Sequence, residues 1–354
     1  MTASFPTTPD ALGAAELTEY LRSAGALDTQ SVVMAEHQLI GTGKMGDSAR
    51  FELTYDADAP NAPSSVVAKF PSLDESTREM AGAAGAYRNE AMFYRVYADR
   101  TPMRTPLVYA IELSDDGTDT LLVMEDLAPA EPGSQLVGES REHASLAIGE
   151  AAKLAAAFSG DTSLAAADHV PGSDGAEFGQ ALMVDAWPKF LERFGDGISS
   201  ECIAFGDHYM PRHAKFATHY DGARTLAHGD FRSENILFAP DGTMATVDWQ
   251  TTSETSPLAD AAYFLGGSLI IEDRREWERE LVEEYRDALG SNGVSLDANT
   301  CWDLYREQAM HGLLLTILGA TFSSPDERGD QMFLVMIQRH LQACVDLDAQ
   351  EFLA

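Results

Sequence analysis

The sequence predicts an α+β chain of two unequal lobes, a small antiparallel sheet with one inserted helix followed by a larger, mainly helical part. Short strand patterns separated by turn residues run to about residue 127, a breaker-rich stretch follows, and long helical patterns come after it. The 354 residues, 45% of them hydrophobic, are enough for two cores. We therefore divide the chain into a helical lead-in at 1–30, a sheet lobe at 31–127, a linker at 128–135 and a helical lobe at 136–354.

Five segments rich in β-branched and aromatic residues predict the sheet of the first lobe. These segments are 32–40, 49–55, 65–70, 107–113 and 120–124. A single helix at 74–100 is predicted after the third strand, because it begins beyond Pro71 and carries aromatic residues at steps of three and four. The stretch 128–134 contains two prolines and a glycine, which ends the strand pattern.

Helical periodicity dominates the second lobe. The predicted helices are 141–158, 176–194, 257–271, 272–289, 299–320 and 331–346. Between the second and third of them, strand patterns return at 235–238 and 244–247 around the turn Pro240-Asp241-Gly242. A short hairpin is therefore expected inside a helical lobe.

The chain is strongly acidic, with 24 Lys and Arg against 57 Asp and Glu and a net charge of −33. Such a surface repels nucleic acids and anionic membranes, so neither is an expected partner. The three cysteines lie far apart without metal-ligand spacing, which indicates free thiols in a reducing compartment. No secretory signal is recognisable and the apolar runs fall short of the roughly 20 residues that span a bilayer. We expect a cytoplasmic protein, and nothing in the sequence indicates its oligomeric state.

Gly41, Gly43 and Gly46 form a G-x-G-x-x-G motif, which two unrelated phosphate-binding architectures share with ordinary turns. The residues at 49–55 alternate as in a strand, whereas the glycines of a dinucleotide-binding fold open a helix. A glycine-rich hairpin lying over phosphate groups is the interpretation we favour, and a plain hairpin turn is the alternative.

Lys69 lies within the apolar strand pattern at 65–70, where an ammonium without a partner is costly to bury. Glu90, on the following helix, can supply the carboxylate. The pair would direct the ammonium to the α- and β-phosphates of ATP. The alternative is a lysine on an edge strand that reaches solvent.

The strongest pattern is formed by Asp230, with Asn235 five residues later and Asp248 thirteen residues after that. The spacing matches the catalytic loop and the metal-binding aspartate of kinases. Asp230 can orient an acceptor hydroxyl and accept its proton, while Asn235 and Asp248 offer hard oxygen ligands to Mg²⁺. His228, just before this aspartate, is expected to brace the turn rather than to relay protons.

With these residues the chain resembles the aminoglycoside phosphotransferase and choline kinase-like superfamily, over about residues 30–345. The segment His228-Gly229-Asp230 corresponds to the HGD loop of that superfamily. The segments at 122–127, 248–250 and 257–265 look most like its ecdysteroid kinase-like (CHK kinase-like) branch. The resemblance implies a bilobal protein kinase-like fold, with ATP and Mg²⁺ as cofactors.

The resemblance also implies that Glu125 and Leu127 bind adenine at an interlobe hinge through backbone groups, and that Asp260 anchors the catalytic loop. It implies an EC 2.7.1-like phosphotransferase whose acceptor is a small hydroxyl compound: a sterol, an aminoglycoside, choline, a sugar or a hydroxyacyl thioester. The motif Asp248-Trp249-Gln250 lacks the glycine of protein kinases, and no docking segment for a protein substrate follows it. A nucleotide-binding pseudokinase and, less strongly, a protein kinase are the alternatives.

The acceptor pocket is expected between the hinge and the catalytic loop. Trp187, Phe190 and Phe194 lie on one predicted helix there and could form a wall of the pocket. At the same spacing they could equally well pack in the core between helices.

Overall fold

A computed structural model describes residues 4–41, 45–167, 169–172, 175–323 and 325–354. The chain forms two compact units, one made of Met1–Arg100 and Thr105–Pro129, the other of Thr101–Arg104 and Ala130–Ala354. The first contains an antiparallel sheet and the second is mostly helical, so the predicted α+β class is confirmed.

Five strands form the sheet of the first unit, in the order β1-β2-β3-β5-β4 with every pair antiparallel. They are β1 (Val32–Ile40), β2 (Gly46–Tyr55), β3 (Ser65–Pro71), β4 (Val108–Leu113) and β5 (Thr120–Glu125). Each coincides with a predicted strand to within three residues. The prediction succeeded here because period-two alternation and turn residues are local signals.

Helix α1 (Ala14–Ser23) shares one core with this sheet. Leu17 and Leu21 of the helix are fully buried in the same apolar cluster as Phe51 and Phe70 of the strands. One face of the sheet therefore obtains its cover from the N-terminal segment of the chain, which lies within the first unit.

The single helix predicted at 74–100 is wrong. The segment forms α2 (Glu75–Ala83) and α3 (Ala86–Met92), followed by a π-helical turn at Phe93–Tyr97 and a 3₁₀ turn at Ala98–Arg100. Gly85 separates the two α-helices with a φ of +76°, a left-handed conformation that glycine adopts without steric cost. The periodic pattern concealed this break, because one glycine interrupts only one step of the period.

The second unit contains ten helices among the residues described. They are α4 (Arg141–Ala157), α5 (Thr162–Ala165), α6 (Ala176–Phe194), α7 (Ser200–Tyr209), α8 (His213–His219), α9 (Ala259–Ser268), α10 (Ile271–Ser291), α11 (Ala298–Gln308), α12 (His311–Phe322) and α13 (Glu327–Asp346). Across the described parts of both units, no helix combines the length and the apolar character needed to cross a bilayer.

Helices α5, α7 and α8 and one break between helices were not predicted in this unit. The sequence pattern did not indicate α7 and α8, although Ser199 caps α7 by accepting from the backbone N–H of Cys202, a recognisable start signal. The expected continuous helix at 299–320 is wrong, since α11 and α12 are separate. No glycine or proline stands at the break between Gln308 and His311, so the sequence offered no stop signal there.

Short strands complete the second unit. The predicted hairpin is confirmed as β8 (Ile236–Phe238) and β9 (Met244–Thr246), and β6 (Glu131–Pro132) joins it from within the segment expected to be a linker. A separate pair, β7 (Thr225–Ala227) and β10 (Ser253–Thr255), was not predicted. Cys202, Cys301 and Cys344 are free and buried in this unit.

Candidate active site

The turn His228-Gly229-Asp230 is held by helix α9 through Asp260. The two carboxylate oxygens of Asp260 accept from the backbone N–H groups of His228 at 2.8 Å and Gly229 at 3.0 Å. Asp260 is 5% exposed, so both hydrogen bonds are shielded from water. This is the anchoring contact that the family resemblance implied for Asp260.

His228 is fully buried and braces the same turn. Its Nε2 donates to the carbonyl of Val247 at 3.0 Å, and its Nδ1 accepts from the backbone N–H of Asp230 at 3.3 Å. Because one partner can only accept and the other can only donate, these contacts select a single neutral tautomer. The ring also packs 4.6 Å from that of Trp249. These contacts match the expected bracing role.

The carboxylate of Asp230 is oriented by three side chains. Its Oδ2 accepts from Nδ2 of Asn235 at 2.9 Å and from Nε of Arg232 at 3.2 Å, while its Oδ1 accepts from the hydroxyl of Tyr263 at 2.5 Å. Sequence reasoning missed Tyr263. The available signal was its position three residues after Asp260, which places both side chains on one face of a helix.

Arg232 connects Asp230 to a second carboxylate. Its Nη1 donates to Glu234 at 2.8 Å, and Arg328 of α13 donates to the other oxygen of Glu234 at 2.6 Å. Burial opposes the charge of Arg232, but the carboxylates of Asp230 and Glu234 outweigh burial and raise its pKa. Arg232 therefore remains a cation beside Asp230 at every working pH.

The hairpin brings Asn235 and Asp248 to the same end of its two strands. The backbone N–H of Val247 donates to the carbonyl of Asn235 at 3.0 Å, so Asp248 is one residue beyond this pairing. Nδ2 of Asn235 donates to two oxygens of Asp230, the backbone carbonyl and Oδ2. The Oδ1 atom of Asn235 takes no part in these hydrogen bonds. Asp248 is partly exposed and has a φ of +67°, a strained conformation that is common at functional sites.

These two side chains fit Mg²⁺. The cation prefers oxygen ligands, and it is usually held by one or two protein groups together with phosphates and waters. One amide oxygen and one partly exposed carboxylate at neighbouring positions make such a donor set. Their role as metal ligands stays a prediction.

In the first unit, Lys69 and Glu90 form the predicted ion pair. The ammonium lies 3.0 Å from Oε1 and 2.8 Å from Oε2 of Glu90. The two side chains are 12% and 3% exposed, so the pair is largely removed from water. Strand β3 places Lys69 between Ser48 of β2 and Leu122 of β5. The lysine is therefore on an inner strand of the sheet, and the edge-strand alternative is excluded.

The glycine motif connects β1 to β2, as the strand pattern after it predicted. Gly41 follows β1 with a φ of +74° and Gly46 is the first residue of β2, whereas Gly43 is outside the described residues. Tyr87 of α3 donates to the carbonyl of Met45 at 2.6 Å. The base of the motif is thereby tied to the helix that carries Glu90.

Glu125 and Leu127 lie at the end of the first unit. Glu125 is the last residue of β5, and both its backbone N–H and its side chain bond to Leu107, at 2.8 and 3.0 Å. Its carboxylate therefore has a structural role within the sheet. Adenine binding through the backbone of these two residues stays a prediction.

The expectation that Trp187, Phe190 and Phe194 form a wall of the acceptor pocket is wrong. Their side chains are 5%, 1% and 6% exposed. The rings of Trp187 and Phe190 stack with centroids 5.8 Å apart, and the ring of Phe194 lies tilted against that of Phe190 at 4.8 Å. Nε1 of Trp187 donates to Asp207 at 2.8 Å. These residues pack in the core of the second unit, as the alternative interpretation held.

Comparison with known protein families found one matching family, the phosphotransferase enzyme family known as APH, over residues 51–298. This match covers most of the chain and includes the proposed site residues of both units, which are Lys69, Glu90, Asp230, Asn235 and Asp248. A comparison with curated proteins found no match.

Solved structures with the same fold include three phosphotransferases. The GDP complex of aminoglycoside 2'-phosphotransferase-IIIa is 14% identical to this chain, with a TM-score of 0.54. The superposition covers 94% of this chain and 99% of that chain. A spectinomycin phosphotransferase with ADP and spectinomycin is 10% identical, with a TM-score of 0.52 and coverages of 97% and 100%. A thermostable mutant of an aminoglycoside phosphotransferase, in a ternary complex with AMP-PNP and hygromycin B, is 17% identical, with a TM-score of 0.51 and coverages of 95% and 99%.

Proposed function

This chain belongs to the phosphotransferase enzyme family, and we propose that it transfers the γ-phosphoryl group of ATP to a hydroxyl group of a small molecule. The observation that carries the proposal is the arrangement around Asp230. Its carboxylate is fixed at both oxygens, the amide of Asn235 lies beside it, and the carboxylate of Asp248 is at the end of the same hairpin. This arrangement supports the acid-base and metal-binding roles that we propose for the three residues.

In the proposed reaction, Asp230 orients the acceptor hydroxyl and takes its proton. The acceptor oxygen bonds to the γ-phosphorus, the bond from that phosphorus to the β,γ-bridging oxygen breaks, and ADP leaves. The proton passes from Asp230 to water. Phosphoryl transfer requires little covalent chemistry from the protein, so positioning of the acceptor supplies most of the catalysis that this residue can offer.

The remaining residues bind the nucleotide in this proposal. Asn235 and Asp248 would hold Mg²⁺, which neutralises phosphate charge when it is bound. Lys69, kept in place by Glu90, supplies a cation for the α- and β-phosphates. In this proposal, the remaining nucleotide contacts are assigned to backbone groups of the glycine motif, at Gly41, Gly43 and Gly46, and to those of Glu125 and Leu127.

The acceptor is proposed to be a small hydroxyl compound in a reducing, cytoplasmic compartment. Two of the similar structures hold hygromycin B with AMP-PNP and spectinomycin with ADP, which supports a small-molecule acceptor together with a nucleotide. From the motifs at 122–127, 248–250 and 257–265, we propose that the chain is nearest to the ecdysteroid kinase-like branch. That assignment makes sterols the first compounds to test.

The experiment is a screen of Mg²⁺-dependent ATP consumption against sterols, amino sugars, choline analogues, sugars and hydroxyacyl-CoA esters. We expect turnover with one class, lowered about a hundredfold to ten-thousandfold but still measurable in Asp230→Asn. Turnover should be retained in Asp241→Asn, a matched change at the exposed hairpin turn. ATP binding without turnover across the panel would instead identify a pseudokinase. Transfer of radiolabel from ATP to protein in a cell extract would identify a protein kinase.

A further inference from the structure

Helix α9 contacts three consecutive residues of the catalytic turn with two side chains one helical turn apart. Asp260 binds the backbone of His228 and Gly229, and Tyr263 binds the side chain of Asp230. Because residues three apart lie on one face of a helix, a single rigid element fixes both the path of the turn and the direction of its carboxylate. Every residue of this helix is buried, so the element itself has little freedom.

The hydrogen bonds of Asp230 distinguish its two oxygens. An ionised carboxylate has about four lone-pair sites, two on each oxygen. On Oδ2, Arg232 and Asn235 fill both sites. On Oδ1, Tyr263 is the one donor found among the described residues, and one site remains. An acceptor hydroxyl that approaches Asp230 must therefore be received by Oδ1, the oxygen that Tyr263 holds.

Tyr263 is suited to hold this oxygen without taking part in proton transfer. Its side chain is 1% exposed. Burial, followed by the charge of Asp230, raises its pKa well above the ordinary value for tyrosine. The phenol therefore stays protonated and can only donate to the carboxylate.

The ring of Tyr263 is itself fixed by packing. It lies 5.0 Å from the ring of His340 and 6.0 Å from that of His311. His340 occupies a slot lined by glycines, where a Cβ on Gly312 would come within 2.2 Å of the imidazole and one on Gly267 within 2.6 Å. The histidine ring therefore cannot turn without displacing backbone, and it packs directly against the ring of Tyr263.

We propose that Tyr263 is a positioning residue for phosphoryl transfer, which holds Oδ1 of Asp230 in the orientation that receives the acceptor hydroxyl. This inference rests on the proposed function and adds a residue that acts through Asp230. Without the phenol hydroxyl, the carboxylate can rotate about its Cβ–Cγ bond and Oδ1 loses its fixed direction. The loss should affect the chemical step and not the binding of ATP.

The test compares Tyr263→Phe with Tyr305→Phe in ATP turnover on the panel of hydroxyl compounds. Tyr305 is a matched control, because it is also a buried phenol that donates to a carboxylate, Glu278 at 2.8 Å, outside the catalytic turn. We expect Tyr263→Phe to lower kcat about tenfold to a hundredfold, the range for a hydrogen bond to a charged group. Its KM for ATP should stay within about twofold of the wild-type value. Tyr305→Phe should lower the melting temperature to a similar extent and leave kcat unchanged.

A double-mutant cycle separates positioning from general destabilisation. In an Asp230→Asn background, Tyr263→Phe should have no further effect on kcat, because the two residues act as one unit. An unchanged kcat in Tyr263→Phe overturns the inference. The inference is also overturned if Tyr263→Phe lowers kcat by the same factor in the Asp230→Asn background as in the wild type. Absence of turnover in the wild-type protein would overturn the proposed function, and this inference with it.

Discussion

Gly229 lies against Thr251 so closely that a Cβ on Gly229 would stand 2.2 Å from the carbonyl oxygen of Thr251. Its φ of +86° already disfavours any side chain. In return, the hydroxyl of Thr251 donates to the carbonyl of His228 at 2.9 Å, so the two segments hold each other in place. Only glycine satisfies this position in the catalytic turn.

Gly229→Ala should therefore lower the free energy of unfolding by about 3 kcal/mol or more and abolish ATP turnover, since strain and clash add. Gly242→Ala is the matched control, because Gly242 has a φ of +84° and a Cβ at this position would meet nothing within 4 Å. That variant should cost only about 1–2 kcal/mol, which is the strain of the left-handed conformation, and keep its activity. Urea denaturation measures both, and equal losses would contradict the close contact.

Substitutions of Lys69 and Glu90 separate the structural from the functional role of this pair. Lys69→Met leaves a buried carboxylate without its cation, which should cost about 3–5 kcal/mol of stability. The double variant Lys69→Met with Glu90→Leu should regain most of that loss, because no charge remains buried. Both should lose the stabilisation by ATP measured as a melting-temperature shift. An ATP shift preserved in the double variant would exclude Lys69 from nucleotide binding.

The metal prediction concerns Asp248 and Asn235. Asp248→Ala should abolish the Mg²⁺-dependent part of the thermal stabilisation by ATP, because the cation loses its charged ligand. Asn235→Ala should weaken it by a smaller amount, since an amide oxygen is neutral. Asp241→Ala removes the same charge from the turn of the same hairpin and should leave the shift unchanged. A full shift in Asp248→Ala would remove that residue from the metal site.

Two buried histidines make stability depend on pH. Burial lowers the pKa of His213 to about 4 and that of His340 to about 3, from 6.5. Below pH 6.5 these imidazoles therefore bind protons in the unfolded chain but stay neutral in the folded chain. The free energy of unfolding consequently decreases as the pH falls towards 4. Each histidine should contribute a slope approaching about 1.4 kcal/mol per pH unit.

His213→Gln and His340→Gln should each remove one such slope between pH 6 and pH 5, measured by urea denaturation at a series of pH values. Both variants should be less stable than the wild type at pH 7, because each glutamine fits the site of the imidazole poorly. The slope, and not the stability at one pH, is the informative quantity. A slope unchanged in both variants would mean that these imidazoles are protonated in the folded protein.

Features that follow from a local residue pattern, or from the need of a buried charge for a partner, could be predicted from the sequence. The five strands of the first unit, the hairpin around Gly242 and the pairing of Lys69 with Glu90 follow from alternation, turn residues and the cost of burying an isolated charge. The prediction failed at Gly85 and at the break after Gln308. At both places helical periodicity continues across the interruption, so a local pattern cannot reveal it.

By itself, the sequence determined which residue types could perform the chemistry, because Asp230, Asn235 and Asp248 are recognisable from their identity and spacing. Only the tertiary structure decided which groups hold them. Tyr263 and Asp260 reach the catalytic turn from a helix about thirty residues later in the chain, and Trp187 proved to be core. Such contacts depend on how distant segments pack, and packing is set by the shape and burial of the whole core rather than by any local period.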